Sequence, residues 1–187
     1  NVAAAKAAQE MGLELSYEDC FKIAERSEEE HGYSLHIYIT HHGLSYADLH
    51  FSFHTAIDEN IILPIDGLID RVKSLDIPQV ILTNASRCWA ERALKKIAAN
   101  DVFPSDKIIP MEDVDFEPKA RGLKGFEKAL LLLGADPEKT LFIDDLDRNL
   151  IKGKECKLQT AYLHYGDRID SLPKEIDYQF EDANELI

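Results

Sequence analysis

The chain has 187 residues, with 35 Asp and Glu against 21 Lys and Arg, a net charge of −14 and a hydrophobic fraction of 45%. That length suits one domain with a small insert, and the hydrophobic fraction excludes global disorder. Acidity this strong argues against a nucleic-acid polymer or an anionic membrane as partner, because both demand clustered Lys and Arg; a small anion in one local pocket stays compatible with it. No apolar run approaches the ~20 residues of a membrane span, and Asn1-Val2-Ala3-Ala4-Ala5-Lys6 does not read as a signal peptide. Cys20, Cys88 and Cys156 are odd in number and dispersed, with no CxxC. They disfavour a zinc site or a disulfide framework and fit a reducing cytoplasm.

Residues 1–62 read as helices throughout. An Ala-rich helix runs from Val2 to Met11 and stops at Gly12. Ser16, followed by Glu18 and Asp19, marks a second helix start; Ser34 to His41 is a third helix, and Ser45 caps a fourth that carries Leu49, Phe53 and Ile57. From Leu63 to Ile187 the pattern changes to alternating strand and helix. Helices are expected over Gly67–Leu75, Arg87–Ala99, Leu123–Leu133 and Leu150–Cys156. Strands are expected over Gln79–Thr83, Lys107–Ile109, Thr140–Asp144, Thr160–Leu163 and Tyr178–Phe180. Short apolar strands alternating with helices predict an α/β fold, a doubly wound parallel sheet with a small helical domain before it.

In such a sheet, ligands bind beyond the carboxyl ends of the strands. Ile81-Leu82-Thr83-Asn84 is an apolar strand ending in a hydroxyl and an amide just before a helix, where free N–H groups can meet an anion. Ile143-Asp144-Asp145 ends a second apolar strand in adjacent carboxylates, which repel each other unless a cation intervenes. Hard oxygens at a solvent-facing mouth suit Mg²⁺. Lys119, after Pro118 in a loop before a helix, could carry a fixed cation to a phosphate and to those carboxylates; Lys124 is the substitute.

In order and spacing, Ile81-Leu82-Thr83-Asn84, Pro118-Lys119 and Ile143-Asp144-Asp145 resemble the second, third and fourth motifs of the haloacid dehalogenase-like hydrolase superfamily. Asn149, the short helix and the strand after it also resemble that family's run, and residues 1–62 resemble its helical cap. Leu82-Thr83-Asn84-Ala85-Ser86-Arg87 and the cap length are most similar to the subgroup containing the pyrimidine 5'-nucleotidases. Two departures stand out. The family usually has Lys-Pro where this chain has Pro118-Lys119-Ala120, and the first motif, Asp-x-Asp-x-Thr, is absent from the sequence. The resemblance places that motif on a central strand, between those ending at Thr83 and Asp144, in an expected upstream segment of roughly 20 residues.

The resemblance implies a Mg²⁺-dependent phosphomonoester hydrolase working through an aspartyl-phosphate on a small phosphorylated metabolite, such as a nucleoside monophosphate. Thr83, the backbone at Asn84 and Lys119 would hold the phosphate; Asp144 and Asp145 would hold the metal, with Asn149 in support. A dehalogenase on the same fold and an inactive binder of phosphorylated ligands are the alternatives, and the oligomeric state is open. Elsewhere the bland reading prevails. His50 and His54 read as surface or interface histidines, Trp89 as core, Glu28-Glu29-Glu30 as a solvated run and Cys88 as a buried inert thiol.

Overall fold

The computed structural model describes residues 1–31, 33–164 and 172–185. The chain divides into two compact units, Asn1–Ile61 and Ile62–Ile187.

The first unit is helical: α1 (Val2–Glu10), α2 (Tyr17–His31), α3 (His36–Thr40) and α4 (Tyr46–Thr55). Ala4, Ala5, Ala7 and Ala8 are fully buried, and their small side chains let α1 lie directly against α2 and α4. Local chemistry sets the helix starts. Ser16 Oγ accepts from Asp19 N at 3.1 Å and donates to the Asp19 carboxylate at 2.6 Å; Ser45 Oγ accepts from Asp48 N. Ser27 Oγ donates to Tyr33 O at 2.7 Å and accepts from Ile37 N at 3.1 Å, and the Tyr38 hydroxyl donates to Cys20 O. His50 and His54 are not surface residues: both are buried within this unit. Their spacing of four sets them on the inward face of α4 with rings edge-on, centroids 4.3 Å apart, and the Tyr33 hydroxyl meets His50 Nδ1 at 3.2 Å.

The second unit alternates: α5 (Leu68–Ser74), β1 (Ile81–Leu82), α6 (Arg87–Lys96), β2 (Ile108–Ile109), α7 (Lys124–Leu133), β3 (Leu141–Asp144), α8 (Asp147–Glu155), β4 (Gln159–Leu163) and β5 (Tyr178–Phe180). All the pairings are parallel, so this is the α/β fold the alternation predicts. The sheet comes in two pieces rather than one. β1 pairs with β2, and β3-β4-β5 form the other piece, with no ladder between β1 and β3 among the described residues. One helix serves both pieces. α7 packs on β1 and β2, while its Phe126 ring stands edge-on to Phe142 of β3 at 5.1 Å. Gly125 makes this approach possible, since a Cβ there would lie 2.8 Å from Leu82 Cδ1. On the opposite face of β3, Leu141 and Ile143 are over 40% exposed.

The parallel register aligns Asp144 with Tyr162, and Tyr162 with Gln179, so the carboxyl ends of β3, β4 and β5 share one edge. Asp177 secures the last strand: its carboxylate takes Lys154 Nζ at 2.6 Å and Thr160 N at 2.8 Å. The Lys154 ammonium, with the Thr160 donors, holds the Asp177 carboxyl below the usual carboxylate range.

Candidate active site

Thr83 and Asn84 lie in the turn between β1 and α6. Thr83 N donates to Ile109 O at 3.0 Å, which continues the ladder one residue past the strand. Thr83 Oγ1 accepts from Ala85 N at 3.0 Å, a local turn bond that leaves the hydroxyl proton to donate elsewhere. At the start of α6, Arg87 N is already taken by the Glu112 carboxylate at 3.1 Å. Cys88 differs from its expected burial: it is half-buried, with Sγ 3.0 Å from Ser86 Oγ.

Lys119 projects from the loop between β2 and α7. Its Nζ reaches Asp144 Oδ2 at 2.5 Å and Leu82 O at 3.4 Å, and it stands 5.7 Å from the centre of the Phe142 ring. The pair is nearly dry, with side-chain exposures of 13% and 5%. An ammonium has three protons, so one remains for a further acceptor. The Pro118-Lys119 order therefore does bring the lysine to the paired carboxylates, and Lys124 instead bonds Asp115 at 3.1 Å.

The backbone of that loop is set by two side chains. Asn84 Oδ1 accepts from Lys119 N at 2.9 Å. The Glu117 carboxylate accepts from Lys124 N at 2.9 Å, capping a helix whose own N-cap residue, Leu123, offers no side-chain bond. Glu117 lies across Gly122, where a Cβ would fall 1.8 Å from its carboxyl carbon. Gly122→Ala should expel Glu117 from that position and cost about 0.5–2 kcal/mol, the value of a lost cap. Urea unfolding checks this, and Glu117→Ala should give a similar loss.

Asp144 is buried and fully engaged. Its Oδ1 accepts from Leu146 N at 3.0 Å and from Asn149 Nδ2 at 2.8 Å, while Oδ2 faces Lys119. The helix expected from Leu150 begins at Asp147, which puts Asn149 in the first turn of α8 and turns its amide back onto Asp144. Asn149 is 1% exposed, and its Oδ1 has no donor among the described residues. Asp145 is exposed and makes no hydrogen bond or ion pair with the other described residues. The donor set therefore suits a hard, hydrated cation. One free carboxylate lies at the mouth, one braced carboxylate beside it, and an unsatisfied amide oxygen behind them. Among the described residues, no group of three or more His, Cys, Asp or Glu is placed to hold a metal ion by itself.

The structure thus brings Thr83, Asn84, Lys119, Asp144 and Asn149 together at one edge through direct bonds or adjacency, with Asp145 next in chain. The sequence left unread the Asn84–Lys119 bond, the contact with the Leu82 carbonyl and the Glu117 brace. Each joins residues distant in sequence or uses backbone atoms, and only the Gly122 beside Glu117 was a signal.

A parallel sheet with this constellation at its carboxyl edge defines a class, and the chain belongs to it: it is a haloacid dehalogenase-like hydrolase, matching that family's model over residues 35–156. A curated relative is the pyrophosphatase PpaX of Halalkalibacterium halodurans, 28% identical over 123 residues. The match takes in 64% of this chain and 55% of the relative, so the chain spans little more than half of that protein's length. In fold it is similar to a HAD phosphatase from Thermococcus onnurineus, with a TM-score of 0.66 and 15% identity over 98% of this chain and 86% of that one. It is also similar to the HAD-hydrolase YfnB of Bacillus subtilis, solved bound to magnesium, with a TM-score of 0.63 and 18% identity over 99% and 88% of the two chains. A dehalogenase structure gives a TM-score of 0.62 at 15% identity, covering 98% of this chain and 88% of that one. At such identities the likeness is one of fold.

Proposed function

We propose that the protein is a Mg²⁺-dependent phosphomonoester hydrolase acting on a small phosphorylated metabolite, with a nucleoside monophosphate, as in the pyrimidine 5'-nucleotidases, the leading class. The observation that carries this reading is the convergence on one sheet edge of an ammonium with a spare proton, Lys119, and a buried, braced carboxylate, Asp144, beside an uncommitted one, Asp145. A phosphoryl group is the substrate that uses both signs of charge at once.

In this reading the Thr83 hydroxyl, the Asn84 backbone N–H and the third proton of Lys119 hold the equatorial oxygens. Asp145, with Asp144 as co-ligand or bracing group, holds Mg²⁺. When bound, the cation offsets repulsion between these carboxylates and the phosphoryl oxygens. Asn149 keeps Asp144 oriented. The attacking carboxylate, which would form the aspartyl-phosphate, is assigned to none of these residues; the resemblance puts its strand between β1 and β3, which no ladder joins among the described residues. The helical unit is read as a cap that supplies specificity, and the setting as cytoplasmic.

The test is hydrolysis by the full chain of p-nitrophenyl phosphate, nucleoside monophosphates and inorganic pyrophosphate, the last because of the curated relative, with and without Mg²⁺ and a chelator. Phosphate release should require Mg²⁺, and Asp145→Ala should lower turnover by about 100-fold or more and weaken Mg²⁺ binding. Near-normal turnover in that variant rejects the assignment. Chelator-resistant dehalogenation of a 2-haloacid would install the dehalogenase reading, and phosphate binding without turnover would install that of an inactive binder.

A further inference from the structure

Asn84 stands beside Thr83, where a side chain would be taken for a substrate contact. Its bond points elsewhere. Asn84 Oδ1 accepts from the backbone N–H of Lys119 at 2.9 Å, across 35 positions of sequence. We propose that the Asn84 side chain is a positioning residue that sets where the Lys119 ammonium stands, rather than a ligand of the substrate. The proposal rests on the phosphohydrolase reading only for its kinetic arm.

The loop carrying Lys119 needs such a tie. Asp115 and Phe116 both adopt left-handed backbone, with φ of 52° and 57°, a conformation costly for side chains other than glycine, so the loop holds its shape only against outside contacts. Arg121 N and Gly122 N fold back onto Pro118 O at 2.9 and 3.2 Å, and Glu117 closes the far side on Lys124 N. Pro118 has no N–H to give. The Lys119 N–H is therefore the first donor of the loop tip, and it goes to Asn84. From that anchored root the side chain crosses to Leu82 O and Asp144 Oδ2. The lysine is held at both ends, its root by the end of β1 and its tip by the ends of β1 and β3. A charge meant for a transition state gains most when its position is fixed beforehand, and a displacement of about 1 Å is costly.

The orientation of the carboxamide follows from chemistry. The Lys119 N–H is a donor, so only Oδ1 can face it. A carboxylate of the same shape accepts equally well, whereas a methyl group cannot and a serine hydroxyl is too short to span the gap.

The experiment follows the Lys119 amide by hydrogen–deuterium exchange in the full chain, in wild type and in Asn84→Ala, Asn84→Ser and Asn84→Asp. Exchange should quicken by about 10-fold in the Ala and Ser variants, the worth of one hydrogen bond, and stay near wild type in the Asp variant. With a phosphate monoester, Asn84→Ala should lower kcat about 10-fold with KM changed less than about 2-fold. Unchanged protection in both Ala and Ser overturns the proposal, as does equal loss in Asp. A rise in KM at constant kcat also overturns it, because it makes Asn84 a substrate contact. Exchange is read without turnover, so a chain with no phosphatase activity would refute the enzymatic reading and leave this one standing or falling by its own amide.

Discussion

Lys119→Met is expected to destabilise the protein by about 3–5 kcal/mol, the cost of leaving a buried ionic partner uncompensated. Asp144 shows 5% side-chain exposure and owes its charge balance to Lys119 Nζ at 2.5 Å. The Leu146 N–H and the Asn149 amide remain, but both are neutral donors, and neither replaces a cation. Methionine keeps the length of the stem, so lost packing contributes little. Native domains have only about 5–15 kcal/mol in hand, so the loss should be plain in urea unfolding. Lys119→Met/Asp144→Asn should recover a large part of it, because the penalty belongs to the widowed carboxylate and not to the missing pair. A single variant within 1 kcal/mol of wild type, or a double variant no better than the single, would show that solvent already balances Asp144. Phosphate-ester turnover should fall in both variants alike, since each lacks the cation.

The second large effect is one of acidity, and it lies in the helical unit. Burial, with a smaller contribution from His54, pushes the His50 imidazole down to about 3. In the unfolded chain the same group titrates near its ordinary value of about 6.5. Between these values the unfolded state binds a proton that the folded state refuses, so stability is full above about pH 6.5 and falls with acidification by up to about 1.4 kcal/mol per pH unit, until the folded group itself titrates. Unfolding free energies at pH 7 and pH 5 should therefore differ by roughly 2 kcal/mol through this group. His50→Gln, which cannot titrate, should flatten the slope by that amount. An unchanged slope in the variant would mean that His50 takes up its proton without unfolding. The Tyr33 hydroxyl lies 3.2 Å from His50 Nδ1 and can donate to it or accept from it, so that contact fits either tautomer of the neutral ring.

Much of this was legible in the sequence, for identifiable reasons. Helix starts at Ser16 and Ser45 and the stop at Gly134, which takes φ 60°, are local chemistry and need no tertiary information. Apolar runs such as Leu141–Ile143 announce strands because little else accommodates them. The polar ends of those runs, Thr83 and Asp144, mark the edge because a parallel sheet collects its carboxyl ends. What was not legible depends on long-range geometry. Nothing in α4 by itself says that His50 and His54 point inward, since a histidine pair at that spacing suits either face; the contacts of His50 with Tyr33 and Tyr46 arise only in the folded unit. The early start of α8 was hidden because Asp145 and Asp147 read equally well as loop or first turn. The separation of the sheet into two pieces is likewise a matter of pairing, which no single strand reveals.

That α7 covers both pieces makes its stability a shared property. Phe126 is 1% exposed and edge-on to β3, while Gly125, its neighbour in chain, lies against Leu82 of β1. Local opening of either piece would uncover the same ring, so α7 couples the loosening of the two. A fold joined in this way tolerates change on the outer face of α7, as at Leu131, 83% exposed, far better than at Phe126, 1% exposed and five residues before it.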